Sequence, residues 1–168
     1  MYKRILNKTK ADAVIITDPL NMHYISGFKG GEGALYLSDK RRVLITDSRY
    51  TEQAGKESDF EIIEENAGHK RMQILSECIA QDAAGIIAFE DACMTYAQFT
   101  RYKDELSCVN EWVGAGKSVD ELRIIKSPDE TAMMAKAAEI ADTAFERVLK
   151  AIRPGMTELE GAAELEYQ

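Results

Sequence analysis

Short runs of apolar and β-branched residues alternate along the chain with segments of helical periodicity. Runs such as AVIIT at 13–17 and RVLIT at 42–46 predict strands, and three- and four-residue apolar spacings between them predict helices. The predicted strands are 13–17, 34–37, 42–46, 60–64, 85–90 and 108–113, and the predicted helices between them are 48–56, 69–83 and 96–106. This alternation predicts an α/β layered domain. The short link LSDKRR predicts that the second and third strands form an antiparallel hairpin in a mixed sheet.

Several helix starts carry a capping box, in which a hydroxyl residue is followed three residues later by Glu or Gln. The four sites are Thr95 with Gln98, Ser118 with Glu121, Ser127 with Glu130, and Thr157 with Glu160. Pro128 follows the third cap and favours a helix over about 128–152, which Pro154 and Gly155 end. A further helix is predicted after Thr157.

The predicted helix over 128–152 has a broad apolar face that must be buried against another surface. A second copy of the chain always supplies a matching surface, so we expect a homodimer formed largely by residues 128–167. The expected contacts include Met133, Ala137, Phe145 and Val148. The last helix runs to the end of the sequence without a C-cap, as in a chain cut within a second domain.

Composition excludes several classes of function. The 168 residues carry 29 acidic and 21 basic side chains, a formal charge of −8, which disfavours binding to nucleic acid. The N-terminus lacks the apolar segment of a signal peptide, and no apolar run reaches membrane-spanning length, so we expect no membrane association and a cytoplasmic protein. Three distant cysteines without a Cys-x-x-Cys pair predict reduced, mostly buried thiols.

The stretch DPLNMHYISGFKGGEG at 18–33 contains four glycines in seven positions and is too irregular for a helix or a central strand. A phosphate-binding loop is disfavoured because a strand, not a helix, follows the glycines. We expect a flexible turn, in which His23 either faces substrate or has a purely structural role. His69, at the start of a predicted helix, is expected to be solvated.

Charged residues follow two of the predicted strands. Asp47 or Ser48 is expected to cap the next helix, a role that leaves Arg49 and Tyr50 unexplained. Glu90 and Asp91 could form an acid/base or cation-binding pair, but adjacent strand residues point to opposite faces. A loop charge patch is therefore the preferred interpretation.

These segments together resemble the N-terminal part of the Xaa-Pro peptidases, the metallopeptidase family that includes prolidase, aminopeptidase P and the related creatinase. NMHYISGF at 21–28 and its glycine-rich turn resemble the family's Asn-x-x-Tyr-[Leu/Ile]-[Ser/Thr]-Gly-Phe segment, and TDSRYTEQA at 46–54 resembles its Thr-Asp-x-Arg-Tyr-x-x-Gln-Ala segment. The segments ELRIIKSPDETAMMAKAAEIADTAF and RPGMTELEGAAELEY resemble the helices that lead into the family's catalytic domain.

The resemblance implies a three-layer, mixed-sheet creatinase-type domain of the ribonuclease-H-like class over residues 1–122. Residues 123–168 are then a linker and the first two helices of an incomplete pita-bread catalytic domain. In the family, that domain holds two divalent metal ions, Mn or Co, on two aspartates, one histidine and two glutamates. No residue of this sequence matches those ligands, so we expect no metal site and no catalysis in this chain alone.

The resemblance further implies a parent enzyme that hydrolyses the peptide bond before proline in short peptides. Asn21, Tyr24, Gly27 and Phe28 match the family's loop that limits access to the active site, and His23 stands at a variable position within it. Asp47, Arg49 and Tyr50 match a structural motif. Two alternatives stay open: a non-catalytic peptidase-like binding module, and the N-terminal domain of a creatinase-type amidinohydrolase.

Overall fold

The computed structural model describes residues 2–167. The chain divides into two compact units, one up to residue 124 and one from residue 125 onward. The domain assignment to residues 1–122 and 123–168 stays a prediction. Within the described residues, no helix combines the length and the apolar character that crossing a membrane requires.

A mixed six-stranded sheet forms the centre of the first unit. The strands are β1 (Ala13–Ile16), β2 (Ala34–Ser38), β3 (Arg42–Asp47), β4 (Glu61–Glu65), β5 (Ile86–Phe89) and β6 (Glu111–Gly114). Their order is β4-β3-β2-β1-β5-β6. The strand β2 pairs antiparallel with β1 and β3, and the other neighbours are parallel. All six predicted strands and the predicted hairpin are confirmed, with ends that differ from the prediction by at most three residues.

Helices cover both faces of this sheet and complete a three-layer fold. They are α1 (Lys3–Thr9), α2 (Pro19–Ser26), α3 (Thr51–Glu57), α4 (Arg71–Asp82) and α5 (Tyr96–Glu105). One apolar core joins α1, α2 and α3 to Val14 and Ile16 of β1, and the other joins α4 and α5 to Ala13 and Ile15 of the same strand. Because strand side chains alternate between faces, each buried strand contributes to both cores. The predicted α/β three-layer fold is confirmed.

The helix α2 contradicts the expectation that residues 18–33 are irregular. Asp18 caps it by accepting hydrogen bonds from the amides of Leu20 and Asn21, and Pro19 occupies its first turn. Gly27 ends it in a left-handed conformation. These start and stop signals were present in the sequence, but the segment lacks a clear apolar stripe. The helix α1 was also missed.

Three of the four predicted capping boxes are confirmed. Thr95, Ser127 and Thr157 each accept a hydrogen bond from the amide three residues later, and the Gln or Glu at that position accepts one from the cap amide. The box at Ser118 is wrong. Its expected partner Glu121 accepts hydrogen bonds from Lys8 instead, and the segment folds into two short 3₁₀ turns at Gly116–Ser118 and Asp120–Arg123.

The second unit contains the two predicted helices, α6 (Pro128–Ala151) and α7 (Glu158–Tyr167). Met133 and Phe145 of α6 have relative exposures of 66% and 57%, and Ala137 is exposed. Val148 is buried at 5% exposure, so its predicted role as a contact between copies is wrong. The unit therefore presents part of the predicted apolar face to its surroundings.

The three cysteines are free, but they are not mostly buried as expected. Cys78 lies on the buried face of α4, in the core, whereas Cys93 and Cys108 are exposed. Both exposed residues follow the end of a strand or helix, where the apolar periodicity used for the prediction no longer applies.

At Gly33, the segment that precedes β2 comes close to the backbone of β3. Its φ is +145°, and a Cβ atom there would lie 2.2 Å from the carbonyl oxygen of Ile45. We predict that Gly33→Ala lowers the free energy of unfolding by about 2 kcal/mol or more, because backbone atoms must separate and φ is strained. The control is Gly55→Ala in α3, where space is open and alanine favours the helix by roughly 1 kcal/mol. Urea unfolding of both variants checks this, and equal effects would contradict it.

Candidate functional site at the carboxyl edge of the sheet

Most of the residues considered as functional candidates lie at one edge of the sheet. The strands β1, β3, β4, β5 and β6 all end at this edge, and the antiparallel β2 begins there. The chain leaves β1 for α2 on one face and leaves β5 for α5 on the opposite face. Such a switch in direction opens a crevice outside the carboxyl ends of the two strands, a common place for ligands in α/β proteins.

Glu90 closes the base of this crevice. It follows β5 and is 2% exposed, and its carboxylate accepts hydrogen bonds from the backbone amides of Thr17 at 2.6 Å and Asp18 at 2.9 Å. The side-chain amide of Asn21 donates a third, at 2.7 Å. The expectation of a loop charge patch at Glu90 is therefore wrong, because this carboxylate joins β5 to the end of β1 and the start of α2.

The electrostatics of Glu90 reflect its burial. Desolvation raises the pKa of the carboxyl group, while the three hydrogen bonds act in the opposite direction and only partly offset it. The oxygen of the Asn21 side-chain amide is buried without a partner among the described residues. If the Asn21 amide flipped, this oxygen could accept a hydrogen bond from a protonated carboxyl group or an amide at position 90.

The far end of α2 is fixed by backbone contacts. Gly27 has a φ of +80°, and a Cβ atom there would lie 2.7 Å from the carbonyl oxygen of Glu57 in α3. The Ser26 hydroxyl donates to the Met22 carbonyl at 2.7 Å and accepts from the amide of Phe28 at 3.2 Å. The amide of Lys29 donates to the Glu57 carboxylate at 2.8 Å. We call residues 27–33 the glycine loop, and its first residues are held against α3.

Phe28 and Tyr50 connect the glycine loop with the segment after β3. The two rings meet edge to face with centroids 6.1 Å apart, and Phe28 is 1% exposed. A Cβ atom at Gly30 would lie 2.1 Å from the Phe28 ring and 2.9 Å from that of Tyr50. Two motifs that are separate in sequence therefore form one packed unit.

Asp47 and Arg49 form an ion pair on the outer side of this unit. The guanidinium donates to the Asp47 carboxylate at 3.0 and 2.7 Å and lies 5.1 Å from the centroid of the Tyr50 ring. Its hydrogen bonds lower the pKa of Asp47. The predicted cap role of Asp47 is wrong, because α3 begins after Tyr50 and Asp47 accepts from the Arg49 amide instead.

The structure separates the remaining loop residues. Tyr24 is half-buried, and its hydroxyl donates to the carbonyl of Leu122 at 2.9 Å. His23 is exposed in the last turn of α2. Asn21 and Phe28 are buried, so these two residues of the predicted access loop support it from inside. His69 lies 3.1 Å from the Glu77 carboxylate at the surface, with 38% of its side chain exposed, which agrees with the solvated position expected for it.

Beside the glycine loop lies a cleft of about 810 Å³. Its lining on the loop side includes Thr17, Asp18, Pro19, Gly31, Glu32 and Gly33, and on the side of β4, α4 and α5 it includes Glu65, Asn66, Lys70, Arg71, Met72, Cys93, Met94, Gln98, Arg101 and Tyr102. Sequence reasoning found neither this cleft nor the role of Glu90. A signal was available for Glu90, which directly follows a buried strand at the carboxyl edge.

The described residues hold no group of three or more His, Cys, Asp or Glu side chains that could bind a metal ion. The acid pair considered for Glu90 and Asp91 is also not formed. Asp91 accepts a hydrogen bond from the amide of Gly116 at 2.6 Å, whereas Glu90 faces β1. The residues described here therefore do not fit a metal centre.

Comparison with known proteins gives matches along nearly the whole chain. Residues 2–125 match the Creatinase/Prolidase N-terminal domain, and residues 132–168 match Metallopeptidase family M24. An uncharacterized peptidase of Bacillus subtilis is 35% identical over 166 residues, covering 98% of this chain and 46% of the relative. The chain thus spans about half the length of the curated relatives it matches.

Solved structures give the same picture. A Xaa-Pro dipeptidase from Bacillus anthracis matches with a TM-score of 0.88 and 31% identity, covering 98% of this chain and 46% of that one. An X-Pro aminopeptidase from Thermotoga maritima matches with a TM-score of 0.85 and 32% identity, covering 98% and 47%.

The Glu90 contacts predict a marked difference between two substitutions. Glu90→Ala leaves one buried and two partly buried donors without this acceptor and is expected to lower the free energy of unfolding by about 3 kcal/mol or more. Glu90→Gln retains an acceptor for Thr17 and Asp18, and its amide can donate to the Asn21 oxygen once that side chain flips. It is expected to change stability by about 1 kcal/mol or less.

The pH dependence gives a second measure of the same contacts. Because the pKa of Glu90 is raised in the folded state, its protonated form is favoured by folding, and stability falls as pH rises from the unfolded to the folded pKa. Glu90→Gln lacks this loss, so its stability relative to the wild type should increase with pH across that window. Urea unfolding at a series of pH values rising from about pH 4, near the ordinary pKa of a glutamate, measures it. A constant difference would contradict the assignment.

Proposed function

The chain belongs to the creatinase/prolidase N-terminal domain family, and on that premise we propose that it is the N-terminal part of a metal-dependent Xaa-Pro peptidase. The parent enzyme would hydrolyse the peptide bond before proline in short peptides. The match of residues 132–168 to a metallopeptidase family supports this proposal. So does the likeness to a Xaa-Pro dipeptidase and an X-Pro aminopeptidase along 98% of the chain.

We place the catalytic metals of the parent enzyme, two Mn or Co ions, outside the residues described here. Such ions lower the pKa of bound water and stabilise developing negative charge. This chain contributes no ligand to them, so the chain alone is proposed to be inactive. Its role is accessory: to shape substrate access and to take part in oligomerisation.

The observation that carries the accessory role is the rigid mounting of the glycine loop. Asn21 and Phe28 anchor α2 and the loop from inside, while His23 and Gly31 remain exposed above them. Exposed loops on a fixed scaffold are well suited to shape a binding surface, because little conformational entropy is lost on binding. The predicted loop of Asn21, His23, Tyr24, Gly27 and Phe28 therefore divides into a support and an exposed rim. Asp47, Arg49 and Tyr50 belong to the support.

His23 provides the test of substrate access. In the full-length enzyme, His23→Ala is expected to raise KM for peptides longer than a dipeptide by about threefold to tenfold, corresponding to about one lost polar contact, with kcat little changed. The matched control is His69→Ala, which removes the chain's other histidine from a position beside Glu77. Identical kinetics of His23→Ala and wild type for dipeptides and longer peptides would refute the proposed role.

Oligomerisation is proposed to involve the exposed side chains of α6. Met133 and Phe145 are large, apolar and more than half exposed, and burying each is worth roughly 1.5–3 kcal/mol. A second copy of the chain supplies a self-complementary surface under twofold symmetry. The homodimer expected from the sequence is thus retained as a proposal, with Val148 excluded from its contacts.

Sedimentation equilibrium of the 168-residue chain tests this interface. Met133→Glu combined with Phe145→Glu should weaken dimerisation at least about a hundredfold, since two apolar contacts become buried charges. Lys136→Glu, an exposed charge reversal on the same helix, serves as the control and should have a smaller effect. A monomeric wild-type chain at tens of micromolar, or equal effects of the two changes, would exclude the proposed contact.

A further inference from the structure

We propose that the cleft at the carboxyl edge of the sheet binds a short peptide through its two charged ends. The cleft lies entirely within the first unit and has no part in the predicted site residues, so the proposal goes beyond the function given above. Its volume of about 810 Å³ falls in the range of small-molecule sites, and it opens beside the crevice between β1 and β5. The observation that indicates a ligand is the arrangement of charge around it.

Positive charge lies on the side of the cleft formed by α4 and α5. Lys70 precedes α4, and within residues 2–167 its ammonium forms no ion pair with a carboxylate. Arg101 of α5 contacts Glu105 through Nε at 2.7 Å, which leaves its two terminal nitrogens for another acceptor. Arg71 lies close enough to Arg101 to influence its pKa, but it is already paired with Glu65. Lys70 and Arg101 are therefore the cations available to a ligand carboxylate.

Negative charge lies on the opposite side, formed by the loops before α2 and β2. One oxygen of the Asp18 carboxylate caps α2, and the other accepts no hydrogen bond from the described residues. The carboxylate of Glu32 in the glycine loop likewise accepts none from them, and Arg49 is a cation near enough to interact with it electrostatically. These oxygens can accept hydrogen bonds from a ligand ammonium. They also repel phosphate groups, so a doubly anionic ligand such as a nucleotide is disfavoured.

Apolar surface lies between the two charged sides. Met72 and Met94 line the cleft together with the ring of Tyr102. Methionine side chains adapt to ligands of different shape, so this surface can accept various peptide side chains without strong selectivity. An extended tripeptide spans about 10 Å, which is compatible with a site of this size. The ligand class is thus a zwitterionic peptide of two or three residues with free ends, recognised by its termini.

The site is tested by titrating the 168-residue chain with trialanine while recording amide NMR shifts. Trialanine is expected to bind with a Kd of about 1 mM and to shift the amides of residues 31–33 and 70–72. N-acetyl-trialanine and trialanine amide each lack one charged end and should bind at least about tenfold more weakly. No saturable shift at about 10 mM trialanine, or equal affinity for all three peptides, would overturn the proposal.

Variants assign the two sides of the cleft. Arg101→Gln should weaken trialanine binding about tenfold but should have little effect on trialanine amide. Glu32→Gln should weaken trialanine binding and leave N-acetyl-trialanine unchanged. Lys103→Gln, an exposed change on α5 outside the cleft, is the control for Arg101. Equal weakening by Arg101→Gln and Lys103→Gln would show that only net charge matters and would reject the site. Trialanine contains no proline, so a negative result leaves the proposed peptidase function intact.

Discussion

The buried carboxylate of Glu90 fixes the geometry of the carboxyl edge. It receives three hydrogen bonds from the end of β1 and the first turn of α2, and it does so from a position after β5. Burying a carboxylate is unfavourable by itself, and the raised pKa of Glu90 shows that the contacts do not fully offset desolvation. The three hydrogen bonds fix the position at which α2 begins. They therefore also fix where the glycine loop, which follows α2, can lie.

The glycine loop combines a rigid base with an open rim. Its base is made by the close approach of Gly27 to Glu57, by the Phe28 ring against Tyr50, and by Gly33 against Ile45. The contacts at Gly27 and Gly33 require that no side chain is present, and the contact at Phe28 requires a fully buried ring. The glycines are therefore required by close backbone approach more than by flexibility. Only between these contacts does the loop present its surface to solvent.

The glycine loop and the cleft lie at the same edge of the sheet. Gly31, Glu32 and Gly33 belong to the loop and also line the cleft. Asp18 also has two roles: one oxygen of its carboxylate caps α2, and the residue lines the cleft. The strand order thus produces one edge with two proposed roles. The glycine loop shapes the access of a peptide substrate, and the cleft binds the two charged ends of a short peptide. Both roles depend on loops whose ends are fixed by the sheet.

Local patterns in the sequence determined most of the architecture. Apolar periodicity predicted the six strands and the long α6, and turn residues predicted the hairpin. The spacing between a hydroxyl residue and a Gln or Glu predicted three capping boxes. All of these signals act over a few residues. The family resemblance of NMHYISGF and TDSRYTEQA also lay in the sequence, and the match to the creatinase/prolidase N-terminal domain bears it out. The helix α2 could have been recognised too, since Asp18, Pro19 and Gly27 mark its ends.

Tertiary structure alone decided which polar residues work together. The contact of Glu90 with Asn21 joins positions 69 residues apart, and Tyr24 reaches Leu122 across 98 residues. The cleft draws its lining from residues 17 to 102. No local rule predicts such partners, because strand order and the face chosen by each helix bring them together. Asp47 was misassigned for a local reason instead: its carboxylate accepts hydrogen bonds from the amide and guanidinium of Arg49, two residues away, and α3 begins only after Tyr50.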